Sequence, residues 1–108
     1  MLHIYPVCLE LVRRVAVLLP ALRQRSVALA DQCERALISV PLNTAEGMQS
    51  RGKNRQSRYH TAAGSAREVL ACLETAEAMG VAVARDAELR ALFDRVIGTL
   101  VRLALRRN

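Results

Sequence analysis

Apolar residues recur every three or four positions in four separate segments of the chain, which is the spacing of one face of an α-helix. The clearest row lies near the C-terminus and consists of Leu89, Leu92, Phe93, Val96, Leu100 and Leu103. Such a row must be buried against another element, so four of them favour helices packed on helices. The composition agrees, because aromatic residues make up only 3% of the 108 residues. A core of Ala, Val, Leu and Ile suits closely spaced helices.

The predicted helices cover residues 4–19, 27–48, 55–79 and 86–105. Ser26 and Asp86 are candidate N-caps, Pro20 ends the first helix and begins a turn, and Gly80 closes the third helix. Short connections join antiparallel neighbours, so the economical arrangement is an up-down-up-down four-helix bundle that forms one domain over residues 1–108. The first helix is apolar over more of its surface than one core contact requires, which indicates contact with another subunit.

The second predicted helix contains a proline at a position that otherwise belongs to a buried helix. Pro41 cannot donate to the carbonyl of Leu37, and its ring crowds that turn, so we expect the helix to kink there. Ser39 and Asn43 flank the break. We expect their side chains to satisfy the backbone groups that the proline frees.

Glu46 and Gly47 complete this polar segment, and two interpretations of it are open. If Glu46 is buried, its carboxylate needs a cation, and Arg58 and Arg67 on the next helix are candidate partners. An enzyme that uses Glu46, Asn43 and an arginine is the alternative. The chain carries no Gly-rich phosphate loop, no nucleophile elbow and no paired metal-ligand motif. We therefore interpret the segment as a structural kink motif, and we expect no catalytic residue, metal or other cofactor.

The chain is basic, with 16 Lys and Arg against 10 Asp and Glu, and its cations concentrate just after the kink motif. No carboxylate occurs between Gly47 and Arg67, and four cations fall within eight positions: Arg51, Lys53, Arg55 and Arg58. A cluster of unneutralised cations is typical of contact with phosphates. The alternative is a solvated turn that aids solubility. Tyr59, beside the cluster, is either a stacking surface for a base or an ordinary core residue.

Cys8, Cys33 and Cys72 are widely spaced and odd in number, so they predict neither a zinc site nor a disulfide framework. We expect small core residues of a reduced, cytoplasmic protein.

Arg13 and Arg14 precede an apolar run that superficially resembles a twin-arginine export signal, but the residues before them already follow a helical period. That run has eight apolar residues, one of them proline, and cannot span a bilayer about 30 Å thick. We therefore expect no membrane insertion.

Three stretches of the chain carry a recognisable pattern: Ser39-Val40-Pro41-Leu42-Asn43-Thr44-Ala45-Glu46-Gly47, then Arg51, then Gly64-Ser65-Ala66-Arg67-Glu68-Val69 with Leu73-Glu74. They resemble the signature of the bacterial four-helix bundle protein family, also called the ribosomal RNA intervening-sequence protein family. That signature looks like S-I-P-x-N-I-A-E-G, a basic turn and a G-S-x-x-E helix. The resemblance covers essentially the whole chain. Leu42 and Thr44 depart from the small and aliphatic residues of the signature.

The resemblance implies a single antiparallel four-helix bundle that assembles as a ring-like homopentamer without a catalytic residue. It also implies kinship with the accessory variability proteins of diversity-generating retroelements, which bind nucleic acid and a reverse transcriptase through a basic surface. The predicted function is therefore a non-enzymatic oligomer that binds RNA or DNA phosphates through Arg51, Lys53, Arg55 and Arg58. The alternative is a protein-interaction adaptor that recruits a partner such as a reverse transcriptase and makes no direct nucleic-acid contact.

Overall fold

The computed structural model of the chain describes residues 3–106, and every regular element within them is a helix. The helices are α1 (Ile4–Ala16), α2 (Leu19–Arg25), α3 (Val27–Gln49), α4 (Gly52–Ala78) and α5 (Ala87–Leu105). The all-α prediction is confirmed. Four of these elements correspond to the predicted helices, whereas α2 occupies a segment that the sequence analysis assigned to a turn.

The additional helix forms because of Pro20. The first predicted helix was expected to reach residue 19, but α1 ends at Ala16. A proline ring crowds the carbonyl four residues before it, which here belongs to Ala16, and Pro20 cannot donate the hydrogen bond that would continue α1. Neither property matters in the first turn of a helix, and Pro20 lies there in α2. The prediction of a turn was wrong, because a short helix connects α1 to α3.

Both predicted N-caps are confirmed. The hydroxyl of Ser26 accepts a hydrogen bond from the N–H of Leu29 at 3.1 Å. The carboxylate of Asp86 accepts one from the N–H of Leu89 at 2.8 Å. This bond, helped by the nearby charge of Arg14, lowers the pKa of Asp86 below its usual range. Local sequence signals therefore fix where α3 and α5 begin.

Two glycines with positive φ shape the ends of α4. Gly52 has a φ of +58°, and α4 begins there, three residues earlier than predicted. Glycine adopts this conformation without steric cost, so the chain reverses after a connection of only two residues. Gly80 has a φ of +93°, and its N–H donates to the carbonyl of Glu77. The N–H of Val81 reaches the carbonyl of Ala76, which completes a Schellman cap and confirms the predicted closure at Gly80.

The long helices pack as a bundle. α3 and α4 contact each other most extensively, α4 also packs on α5, and α1 contacts both α3 and α5. Antiparallel pairing of α3 and α4 is marked by two hydrogen bonds, from Gln32 to Glu68 at 3.1 Å and from Arg58 to Asn43 at 3.2 Å. Arg14, near the end of α1, contacts Asp86 at the start of α5. Neighbouring helices in these two pairs therefore run in opposite directions.

One hydrophobic core runs through the bundle and draws on every helix. Its largest fully buried side chains are Phe93, Leu11, Leu22, Leu73, Leu89 and Leu100. Small residues line the core in the first half of α4, where Ala62, Ala63 and Ala66 are at most 1% exposed.

The three cysteines are buried, free thiols, which confirms their prediction as small core residues. Burial, with Cys72 close by, raises the pKa of Cys33 to about 12. The thiol therefore stays protonated and unreactive at neutral pH.

Among the described helices, none combines the length and the apolar character that crossing a bilayer requires.

Candidate nucleic-acid interface

The predicted basic cluster lies on the turn between α3 and α4 and on the first turns of α4. Ser50 organises this turn. Its hydroxyl donates to the carbonyl of Glu46 at 2.7 Å and accepts from the amide of Asn54 at 3.0 Å. The Nε of Arg55 donates to the Ser50 carbonyl at 2.8 Å. The cations are therefore carried by an ordered backbone rather than by a loose loop.

The structure brings all four predicted cations to one end of the bundle. Arg51, Lys53 and Arg58 are exposed, and Arg55 is half-buried. Arg51 is the N-cap of α4, and Arg58 donates to the Oδ1 of Asn43 on α3 at 3.2 Å. Within residues 3–106, Arg51, Lys53 and Arg58 form no ion pair with a carboxylate. These cations keep their charge available to a ligand.

Three arginines at the opposite end of the bundle are paired with carboxylates, whereas Arg25 and Arg90 there are not. The shortest contact of each paired arginine is Arg14–Asp86 at 3.2 Å, Arg23–Asp31 at 2.7 Å and Arg85–Glu77 at 2.8 Å. The ion pairs with carboxylates among the described residues thus leave out Arg51, Lys53 and Arg58 at the turn between α3 and α4.

The cluster begins at the N-terminus of α4, where a cation is energetically unfavourable. The N-terminus of an α-helix carries a partial positive charge, so a cation in the first turn, such as Arg51 or Lys53, is unfavourable by about 0.3–1 kcal/mol. The first turn of α4 contains no acidic residue to offset the cost. An anion at this place would interact with the free N–H groups and with the cations together. Helix stability does not favour the arrangement, whereas phosphate binding does.

Arg106 joins the cluster, and sequence reasoning missed it. Its carbonyl accepts a hydrogen bond from the side chain of Gln56 at 2.7 Å. Burial raises the pKa of the Tyr59 phenol, while the charges of Arg55 and Arg106 act in the opposite direction. Arg106 is 50 residues from Gln56 along the chain, so only the packing of α5 on α4 brings them together. The one signal in the sequence was the expected antiparallel pairing of the last two helices.

Tyr59 does not offer a stacking surface. Its side chain is 3% exposed and belongs to the core. The ring lies against Gly47, where a Cβ atom would come within 2.7 Å of the ring carbon Cε1. Of the two interpretations of Tyr59, the core residue is therefore confirmed. The ring fits beside α3 because Gly47 has no Cβ atom.

The kink motif forms a polar contact between α3 and α4. α3 continues through Pro41 without interruption. The amide of Asn43 donates to the carbonyl of Ser39 at 3.1 Å and to its hydroxyl at 2.9 Å, and that hydroxyl is 2.7 Å from the hydroxyl of Ser65. These bonds do not reach the carbonyl of Leu37. The prediction that Ser39 or Asn43 would satisfy that carbonyl was therefore wrong. The motif instead ties α3 to α4. The bend at Pro41 stays a prediction.

Thr44, which departs from the signature, is the buried polar residue of α3. Its hydroxyl donates to the carbonyl of Val40 at 2.7 Å and lies 3.5 Å from the thiol of Cys8. The hydroxyl is therefore hydrogen-bonded within the helix, and its burial costs little free energy. Leu42, the other departure, is 58% exposed and leaves the core unaffected.

Glu46 is exposed and needs no buried partner. The ion pairs considered for it do not form in the described part of the chain, because Arg58 is hydrogen-bonded to Asn43 and Arg67 points into solvent. Of the three side chains that the alternative enzyme would use, Asn43 and Arg58 are in contact at 3.2 Å, and Glu46 pairs with no arginine among the described residues. Residues 3–106 also contain no group of three metal-binding side chains.

A small helical bundle with a cationic end is the class of protein that this geometry defines. The sequence model of the 23S rRNA-intervening sequence protein family matches residues 1–102. The chain belongs to that family, which confirms the resemblance seen in the sequence. Comparisons with curated proteins and with solved structures gave no significant match.

Proposed function

We propose that the protein is a non-enzymatic helical bundle of the cytoplasm that binds the phosphates of RNA or DNA through Arg51, Lys53, Arg55 and Arg58. The observation that carries the proposal is that Arg51, Lys53 and Arg58 are exposed and form no ion pair with a carboxylate among the described residues. Arg51 and Lys53 also lie at the N-terminus of α4, where helix stability disfavours a cation. The family is named for an intervening sequence of 23S rRNA, so RNA is the first probe to test.

The chemistry of the cluster suits phosphates rather than bases. Arginine presents a planar fork of N–H donors that matches two phosphate oxygens, and three of the four cations are arginines. Contacts of this kind fix a protein on the backbone and carry no sequence information. Affinity then comes largely from the release of counterions and falls with added salt.

The first test replaces all four cations with alanine. We expect the variant to bind a structured RNA at least about tenfold more weakly than the wild type at moderate salt, because up to four phosphate contacts are lost. Binding is measured by fluorescence anisotropy with labelled RNA. The control replaces Arg25, Arg35, Arg67 and Arg90, which are also exposed and form no ion pair among the described residues, so both variants lose the same charge.

The two variants separate a binding site from a general effect of charge. Weak binding by the cluster variant alone supports the proposal. Binding that survives in the cluster variant contradicts it. An equal loss in both variants also contradicts it, because the net charge alone would then account for the binding.

We also propose that α1, α3, α4 and α5 form an antiparallel four-helix unit that assembles into a homopentamer, as the resemblance implies. Three apolar side chains on α3 support assembly: Ile38, Leu42 and Met48 are 49%, 58% and 42% exposed. Ile38 and Leu42 are four residues apart and share one face of α3, whereas Met48 lies on another side of the helix. An exposed apolar row of two such side chains is typical of an interface. The same row is the observation that favours the second candidate function, an adaptor for a protein partner such as a reverse transcriptase.

Light scattering tests the assembly. The pentamer predicts a mass five times the 11.9 kDa of one chain, and the double variant Ile38→Lys/Leu42→Lys should dissociate because two charges would be buried in the interface. The control is Leu105→Lys, since Leu105 is 76% exposed and lies on α5, outside the row and outside the first helix. A wild-type protein that stays monomeric at all concentrations would contradict the pentamer and favour the adaptor.

A further inference from the structure

A second row of cations runs along one face of α5. Arg95, Thr99, Arg102 and Arg106 are spaced by four, three and four residues, which places them on one side of a helix. All three arginines are exposed. At about 1.5 Å per residue the row is about 16 Å long. We name these three arginines the α5 row.

The α5 row meets the basic turn at Arg106. The hydrogen bond from Gln56 to the carbonyl of Arg106, at 2.7 Å, holds the end of α5 beside the second turn of α4. Gln56 lies between Arg55 and Arg58 in the sequence, so this bond places Arg106 beside the basic turn. Arg106 therefore links the two sets of cations.

Arg102 lies against the surface of α5. Its Nη2 donates to the hydroxyl of Thr99 at 3.2 Å. Its Nη1 would lie 3.3 Å from a Cβ atom at Gly98, so the guanidinium folds back along the helix surface. Within residues 3–106 none of the three arginines of the row pairs with a carboxylate. The carboxylate of Glu88 lies at the far end of α5, where it contacts Arg14 at 3.6 Å.

The placement of the aromatic side chains indicates whether this surface suits single-stranded or double-stranded nucleic acid. Proteins that bind single strands combine a basic groove with aromatic rings on which the bases stack. Here Tyr59 and Phe93 are buried and Tyr5 is half-buried on α1, so among the described residues no Phe or Tyr ring is fully exposed beside these cations. A double helix keeps its bases paired and presents its phosphates in a fixed array, and it requires no such ring.

We infer that the α5 row and the basic turn form one footprint for the phosphate backbone of a double-helical nucleic acid. The inference rests on the proposed function and extends it to a substrate class and to three further residues. A row about 16 Å long matches about five base-pair steps of about 3.4 Å each. Contacts along that length would hold a duplex in one orientation across the end of the bundle.

The test compares duplexes with single strands on three proteins. The probes are a mixed-sequence RNA duplex of about 20 base pairs, the corresponding DNA duplex, and one strand of each. The proteins are the wild type, the row variant Arg95→Ala/Arg102→Ala/Arg106→Ala, and the charge-matched control Arg35→Ala/Arg67→Ala/Arg90→Ala. All six replaced arginines are exposed, and circular dichroism confirms that each variant remains folded.

We expect the wild type to bind at least one duplex more tightly than its single strand, and the row variant to bind that duplex about 10- to 100-fold more weakly than the control does. Equal duplex binding by the row variant and the control overturns the inference. If the four-cation turn variant still loses binding in that case, the proposed function stands without the α5 row. Tighter binding of single strands than of duplexes also overturns the inference, and no binding of any probe by the wild type overturns both proposals.

Discussion

Replacing Gly47 with alanine should lower the free energy of unfolding by up to about 2 kcal/mol, the net of overpacking and helix propensity. A Cβ atom at Gly47 would lie 2.7 Å from Cε1 and 2.9 Å from Cδ1 of Tyr59, closer than carbon atoms approach in folded proteins. Tyr59 is 3% exposed, so its ring has little room to move. The overpacking should outweigh the gain of about 1 kcal/mol that alanine brings to a helix interior. Urea denaturation followed by circular dichroism measures the change.

Gly64 provides a matched control within α4. It is helical and exposed, and a Cβ atom there would meet nothing within 4 Å. Gly64→Ala should therefore raise the free energy of unfolding by about 0.5–1 kcal/mol, because only helix propensity changes. Combining Gly47→Ala with Tyr59→Leu should reduce the penalty of the first substitution. Two alanine variants that change stability in the same direction would contradict the close approach of α3 to Tyr59.

Replacing Phe93 with alanine should have the largest effect on stability of the substitutions considered, a loss of about 3–5 kcal/mol. Phe93 is 1% exposed and is the largest fully buried side chain of the core. Removing the ring leaves a cavity that neighbouring helices fill only in part, since helix packing resists collapse. The conservative change Phe93→Leu should cost less than Phe93→Ala.

The control for Phe93 is Leu105→Ala, at the end of the same helix. Leu105 is 76% exposed, so its removal should change stability by less than about 0.5 kcal/mol. The wild type, Phe93→Ala, Phe93→Leu and Leu105→Ala should be compared at one protein concentration, because assembly makes apparent stability depend on concentration. A cost of less than about 1 kcal/mol for Phe93→Ala would show that α5 does not pack as described.

The sequence predicts those parts of the fold that local chemistry decides. Ser26 and Asp86 mark the starts of α3 and α5 because an N-cap needs only a side-chain oxygen near the next turn. Gly80 marks the end of α4 for a similar reason. Pro20 was recognised as a break but not as the start of α2, since a proline that ends one helix also suits the first turn of another.

The parts of the candidate site that depend on packing were less predictable. The four cations between Arg51 and Arg58 are close in sequence, so their clustering is local. Arg106 comes from the far end of the chain and joins them only because α5 packs on α4. The exposure of Glu46 depends on how α3 is rotated against α4, which periodicity alone does not fix.

The salt dependence of RNA binding tests the central claim most directly. The logarithm of the association constant should fall linearly with the logarithm of salt concentration, by about 0.7–0.9 for each phosphate that the protein neutralises. Replacing Arg51, Lys53, Arg55 and Arg58 with alanine should make that slope shallower by about 3 if each cation contacts one phosphate. The charge-matched control should keep the slope of the wild type. A slope that is the same in all three proteins would contradict phosphate binding at this turn.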